Sequence, residues 1–139
     1  MALPTHIRLE FVTPERTIVH DDVDELVLPG EAGDFGVLPG HAPFLTTLGI
    51  GELMYRIGRD EHHVAVAGGF AEVRNDKVII LADSAETPAD IDRARAEKAL
   101  ERAETRLGGR GGEENVDFNR ARSTAARAFT RLSVAGRHR

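Results

Sequence analysis

The chain has no cysteine and no tryptophan, a single tyrosine, and aromatics at only 5% of its 139 residues. Without thiols there can be no disulfide framework, no zinc–thiolate site and no thiol nucleophile, which fits a reducing compartment. Sparse aromatics and a net charge of −5 argue against nucleic acid as a partner. No apolar run approaches the roughly 20 residues needed to cross a bilayer. Residues Met1 to Phe11 alternate polar and apolar without a basic lead, unlike a signal peptide. Any work at a membrane is expected to depend on a partner that holds the chain there.

What is present is an ordinary globular composition, 41% hydrophobic and 29% charged, enough for one core or for a small core with an appendage. The charge is unevenly divided. Residues 1–85 carry 14 acidic and 6 basic side chains, whereas residues 86–139 carry 9 and 12. From Val116 onward there are six arginines and one aspartate. An acidic half and a basic half suggest two modules able to attract each other or different partners.

The first module, residues 1–85, is predicted to be all β. Ile7, Leu9 and Phe11 alternate with Arg8 and Glu10, the period of a half-buried strand. Similar short runs recur at Thr17–Val19, Asp24–Leu28, Phe44–Leu48, Leu53–Ile57, His62–Ala67, Phe70–Arg74 and Val78–Ala82, separated by turn residues. Eight to ten short strands at this spacing predict a sandwich or flattened barrel. Gly68-Gly69, between two apolar strands, suggests a bulge or a tight corner.

Within this module Pro29–Pro43 stands apart, with four glycines and three prolines in fifteen residues around Phe35, Val37 and Leu38. Such punctuation restricts the chain to one path. It predicts a rigid, acidic loop carrying Glu31, Asp34 and His41. Its glycines lack the spacing of a Walker loop or dinucleotide fingerprint, and no helical pattern follows them.

The second module, residues 86–139, changes period. Thr87-Pro88-Ala89-Asp90 has the makings of a helix start, with Thr87 as cap, Pro88 in the first turn and Asp90 reaching back. Ile91, Ala96, Ala99, Leu100, Ala103 and Leu107 then mark a stripe of helical spacing, predicting a helix over about 88–107 that Gly108-Gly109 ends. A link from Gly108 to Glu114 leads to a second helix over about 116–135, capped by Asn115 or Asp117, with a stripe of Phe118, Ala121, Ala125, Ala128, Phe129 and Leu132. The whole is α+β: an N-terminal β-sandwich followed by an antiparallel two-helix hairpin. Alanine dominates both seams, so their pairing buries little area and should be modest.

No catalytic constellation emerges. His6, His20, His41, His62, His63 and His138 lack metal-ligand spacing, and Ser84 and Ser133 lack a nucleophile-elbow context. No metal site and no enzyme acting alone are expected. Arg120 and Arg127 share a helix face and Arg131 follows Arg127 by one turn, with almost no acidic neighbours. That pattern fits a solvated face, an acidic protein surface or a polyphosphate ligand.

Gly33-Asp34-Phe35-Gly36-Val37-Leu38-Pro39-Gly40-His41-Ala42-Pro43 resembles the Gly-x-x-Gly-hydrophobic-x-Pro-Gly-His-Ala-Pro segment of the epsilon subunit of bacterial F-type ATP synthases. Ala67–Val73, Leu81–Glu86, Val116–Phe118 and Arg131–Ala135 are similar to other segments of that family, in the same order. The resemblance implies a non-catalytic central-stalk subunit at the cytoplasmic face of the cell membrane, peripheral and held through the complex. Its partners would be the gamma subunit, the c-subunit ring and the catalytic beta (and alpha) subunits. It would couple proton-driven ring rotation to ATP synthesis and restrain hydrolysis through a mobile hairpin. Glu31 and Asp34 would face the c ring, His41 would lie near gamma, and Arg120 and Arg127 would meet a beta subunit.

Ile91-Asp92-Arg93-Ala94-Arg95-Ala96 is similar to the family's (Ile/Leu)-Asp-x-x-Arg-Ala motif. The resemblance implies that Glu86, Ile91, Asp92, Arg95 and Ala96 line a regulatory ATP site, with Arg102, Arg127 and Arg131 closing on the phosphates. No cofactor is otherwise required. The rival readings are a stand-alone nucleotide sensor and an adaptor whose basic helix binds another acidic protein. Neither calls for the acidic segment on the sandwich.

Overall fold

A computed structural model describes residues 4–109 and 117–137. Eight strands come first: β1 (Ile7–Val12), β2 (Thr17–Val23), β3 (Glu25–Gly30), β4 (Gly33–Val37), β5 (Phe44–Thr47), β6 (Ile50–Ile57), β7 (Asp60–Arg74) and β8 (Lys77–Glu86). A 3-10 turn at Pro88–Asp90 precedes helices α1 (Arg93–Leu107) and α2 (Phe118–Ala135). The architecture is the expected β-sandwich followed by two helices.

The two predicted runs on either side of Gly68-Gly69 are one strand, β7, bent between the layers. Its first part pairs with β6 and its last part with β5, while β8 accompanies it from Ala65 to Arg74, across the bend. The inward-facing side chains change parity at the bend: Val64 and Val66 before it, Ala71 and Val73 after it. No residue is inserted, since Ala67 pairs with Ser84 and Gly69 with Ala82 in unbroken register, so the feature is a corner and not a bulge. Gly69 has φ +121°, and a Cβ there would sit 2.1 Å from the Leu81 carbonyl oxygen. Only glycine fits.

One layer therefore runs β2-β1-β8-β7-β5, with β1 parallel to β8, and the other β8-β7-β6-β3-β4. Between them lies a core of Ile7, Leu9, Phe11, Val23, Leu26, Leu28, Val37, Leu53, Val64, Val66, Val73, Val78 and Ile80, all essentially inaccessible to water. The alternation seen in β1 follows directly, with Ile7, Leu9 and Phe11 buried and their neighbours half-exposed.

The hairpin departs from expectation in two places, the start of its first helix and the seam of its second. The first α-helix starts at Arg93, not near Pro88. Thr87 and Asp90 do form the predicted cap, but around a single 3-10 turn, and Ile91 (φ −87°, ψ 123°) is extended. Asp92 then caps α1, accepting from the Arg95 amide at 3.1 Å. Ile91 thus falls outside the helical stripe. In α2, Asp117 accepts from the Arg120 amide at 3.0 Å and is the cap. Asn115 and most of the glycine-rich link fall outside the described residues. Finally, Phe118 and Phe129 do not lie in the seam: they are 51% and 66% exposed, while Ala121, Ala128, Thr130 and Val134 are buried. α2 packs on β6 and β7, and α1 packs on α2.

Candidate functional site

Three surfaces carry the candidate residues. The first is the Pro29–Pro43 stretch, which is not the loop the sequence predicted. Pro29 and Gly30 end β3, Glu31-Ala32 is a two-residue turn, and Gly33–Val37 is β4, paired along its length with Leu26–Gly30. Gly33, the first residue of β4, has φ +132°, a backbone conformation that side-chain-bearing residues rarely adopt. The hairpin is pinned to the β5–β6 corner by Glu31 N–H to Thr47 O at 3.1 Å and Gly49 N–H to Pro29 O at 2.9 Å. The Thr47 hydroxyl donates to Glu31 Oε2 at 2.5 Å. Beyond it, Gly40 N–H donates to Asp76 Oδ1 at 2.6 Å, fixing the following loop to the β7–β8 turn. Glu31 and Asp34 are exposed at the hairpin tip, and half-buried His41 lies against Phe44, which in turn meets Phe35 edge-on at 5.3 Å. The β3–β4 hairpin and the loop after it therefore hold the three interface residues predicted on the sandwich, Glu31, Asp34 and His41, on a fixed backbone.

The second surface is the outer face of the β5-containing layer. Phe70 pairs across to Thr47 and to Leu81, and Leu45 lies two positions before Thr47 on β5, on the same face. Leu45, Phe70 and Leu81 are more than half exposed, whereas Ala71 beside Phe70, and Ile80 and Ala82 beside Leu81, face the other way into the core. The sequence pattern alone did not single out this patch, because an apolar residue on either side of a strand has the same one-letter appearance. The signal was the pair of apolar residues, Phe70 and Leu81, out of phase with the inward set.

The third surface is the opposite outer face, where α2 lies. Arg131 Nε donates to Glu86 Oε1 at 2.6 Å. Arg137 Nε donates to Glu52 Oε1 at 2.5 Å, and the Ser133 hydroxyl donates to Glu52 Oε2 at 3.0 Å. His63 Nδ1 lies 2.7 Å from Glu52 Oε1 without the alignment of a hydrogen bond. Acidic sandwich and basic helix thus meet as their opposite charges suggested. The 3-10 turn is held separately: Arg16, from the β1–β2 turn, pairs with Asp90, whose carboxylate also accepts from the Thr87 amide at 2.9 Å and the Thr87 hydroxyl at 2.8 Å. The Arg16 hydrogen bond, with the Thr87 amide second, lowers the Asp90 pKa below the usual carboxylate value.

Of the residues implied for nucleotide, Glu86, Arg127 and Arg131 come together around a cavity of only about 10 Å³. Glu86 and Arg131 are paired with each other. Asp92 serves as a helix cap, Ala96 is buried in the helix seam, Ile91 is half-buried in the extended segment, and Arg95 and Arg102 are exposed on α1. Arg120 is exposed at the start of α2. Among the described residues, Arg120, Arg122 and Arg127 have no carboxylate within 4 Å. Sequence reasoning missed Glu52, Ser133 and Arg137, whose partners lie more than 80 positions away. Among the described residues no group of three or more His, Asp or Glu side chains is placed to hold a metal, and no helix is long and apolar enough to cross a membrane.

Comparison with known proteins covers the same two parts. The family described as ATP synthase, Delta/Epsilon chain, beta-sandwich domain matches residues 6–88, and ATP synthase, Delta/Epsilon chain, long alpha-helix domain matches residues 89–136. The chain is 50% identical over 129 residues to the ATP synthase epsilon chain of Syntrophobacter fumaroxidans, covering 93% of this chain and 95% of that one. It is 48% identical over 130 residues to that of Nitratidesulfovibrio vulgaris, covering 94% and 96%. In fold it is similar to a chain in the cryo-EM structure of the Euglena gracilis mitochondrial ATP synthase, OSCP/F1/c-ring, with a TM-score of 0.77 at 24% identity over 99% of this chain and 85% of that one. A chain of the Tetrahymena thermophila mitochondrial ATP synthase central stalk and c-ring structure matches with a TM-score of 0.53 at 13% identity over 94% and 92%.

Proposed function

The chain belongs to the ATP synthase epsilon-chain family, and on that premise we propose that it is a non-catalytic central-stalk subunit, coupling ring rotation to ATP synthesis and restraining hydrolysis with its hairpin. The observation that carries this reading is the division of labour between the sandwich's two outer faces. One presents Leu45, Phe70 and Leu81 uncovered; the other holds α2 through ion pairs. Exposed, contiguous apolar side chains on a rigid sheet suit a permanent partner. That partner is the gamma subunit, with His41 beside it. The acidic β3–β4 tip suits the polar loops of a c-subunit ring, since Glu31 and Asp34 are exposed and their backbone is fixed. The chain would then sit at the cytoplasmic membrane face through its partners alone.

The ion-paired face suits an arm that leaves. Released, α2 would present Arg120, Arg127, Phe118 and Phe129 to an acidic surface of a catalytic beta subunit. A complex assembled with the chain truncated after Glu86 should hydrolyse ATP faster than the complete one while retaining gamma. Unchanged hydrolysis in a fully assembled complex would remove the inhibitory part of the proposal, and failure of the complete chain to bind gamma would remove the whole.

Regulatory ATP is the finer part of this reading. The corner of Glu86, Arg127 and Arg131 has the charge for phosphate but not the room, so a nucleotide there must first separate Glu86 from Arg131. Calorimetry with millimolar ATP should show binding that an Arg95→Ala variant loses; no heat from the unaltered chain would leave the Asp92–Ala96 motif a helix start and nothing more.

A further inference from the structure

Glu52, Ala65 and Glu86 form one register row across three adjacent strands, because Glu52 pairs with Ala65 and Ala65 with Glu86. Strands two apart are separated by roughly 10 Å, so the two carboxylates stand about that distance apart on the outer face. Arg131 lies in the last turns of α2 and Arg137 just past its C-cap Gly136, six residues on, which at the rise of a helical turn is about 9 Å. The helix crosses the strands so that Arg131 meets Glu86 on β8 and Arg137 meets Glu52 on β6, with Ser133 adding a second bond to Glu52. The small side chain of Ala65, covered to 6% exposure, occupies the row between them.

We propose that this matched pair of carboxylates is a latch that docks the hairpin without any ligand, and that the hairpin swings about Ile91-Asp92 and not about the end of the sandwich. Four observations join here. The donors and acceptors agree in spacing and in sign. The space a ligand would need at Glu86 is closed to about 10 Å³. The 3-10 turn is tied to the sandwich by Arg16–Asp90, a contact that uses no residue of α1 or α2. The chain between that turn and α1 is the extended Ile91, outside either helix. Both ion pairs stay partly open to water: the side chains are 37% and 29% exposed for Arg131 and Glu86, and 52% and 21% for Arg137 and Glu52. An open cavity of about 920 Å³ reaches Arg137 and His63 from the side. Salt therefore has access, and charge pairs of this kind are weak enough to yield to a competitor.

This inference rests on the mobile arm of the proposed function but not on the motor, so it is tested on the isolated full-length chain. The absence of cysteine lets spin labels be placed at Arg59→Cys and Arg122→Cys, exposed positions outside the latch. Pulsed-dipolar distances without nucleotide should show one short, docked population at about 0.1 M salt and a growing long population towards about 1 M, as screening shortens from about 10 Å to about 3 Å. Glu52→Gln with Glu86→Gln should lower the docked-to-open ratio about tenfold at low salt and abolish the salt response. Asp90→Asn, which loosens only the 3-10 turn, should leave that ratio within about twofold. A docked population indifferent to both salt and the double substitution overturns the latch. A ratio changed more by Asp90→Asn than by the double substitution overturns the hinge. A complex whose hydrolysis ignores the hairpin, beside a chain whose labels obey these expectations, would sink the inhibitory reading and leave the latch standing.

Discussion

The interface between the two sandwich layers and the interface between sandwich and hairpin are built from different materials. Between the layers, branched and aromatic side chains such as Phe11, Leu26, Leu53 and Ile80 reach zero exposure. Beneath α2 the contact is made by Thr130, Val134 and ion pairs to Glu52 and Glu86. Burying a large apolar side chain is worth about 1.5–3 kcal/mol, whereas an exposed ion pair contributes about 0–1 kcal/mol. The first interface is therefore fixed and the second reversible. In one chain, the material of each contact sets whether it behaves as a scaffold or as a moving part.

The sharpest break of that contrast comes from the layer interface. Phe11→Ala should cost about 3–5 kcal/mol and lower the cooperative unfolding transition of the sandwich in chemical denaturation. Gly69→Ala should cost about 3 kcal/mol or more, because the new Cβ would meet backbone at the corner where both long strands turn. If either variant unfolds like the parent, the corner and core are not what hold the layers together. Val134→Asp probes the other interface. A charge buried without a partner should release α2 at about 2–3 kcal/mol, seen as faster amide exchange throughout α2, with strand amides in β1, β7 and β8 unaffected. Equal loss of protection in the strands would mean that the two interfaces are one cooperative unit.

The contrast also explains how far the sequence could be read. Strand β1 was legible because one face is buried and the other wet, so Ile7, Leu9 and Phe11 alternate in the letters as they do in space. The acidic and basic halves were legible as charge, and the pairing of α2 with the sandwich follows that division. What escaped was anything decided by distant partners. Phe118 and Phe129 looked like seam residues because helical spacing identifies a stripe but not which stripe docks. In an alanine-rich helix several faces are narrow enough to pack, and α2 docks on Thr130 and Val134 instead. The start of α1 was misplaced because Thr87 to Asp90 satisfies every local rule for a helix start; the Arg16 contact that holds those residues on the sandwich lies 74 positions away. The β3–β4 hairpin was mistaken for a loop because glycine and proline mark turns more visibly than Val37 and Phe35 mark a strand.

The smallest expected effect concerns that same tether and separates it from the latch. Asp90 has its pKa lowered in the folded chain, first by Arg16 and then by the Thr87 amide. A depressed folded value means that the contribution is fully present above the unfolded aspartate value, about 3.9, and is lost as pH falls through the lower folded one. Carboxyl NMR should find Asp90 titrating below an ordinary aspartate, and Arg16→Gln should move it upward by removing the largest cause. Because Glu52 and Glu86 touch neither group, the label distances across the docked hairpin should stay unchanged in Arg16→Gln at neutral pH. An Asp90 that titrates normally in the parent chain would show that the 3-10 turn is free of the sandwich, and would move the pivot of the hairpin from Ile91 back to the end of β8.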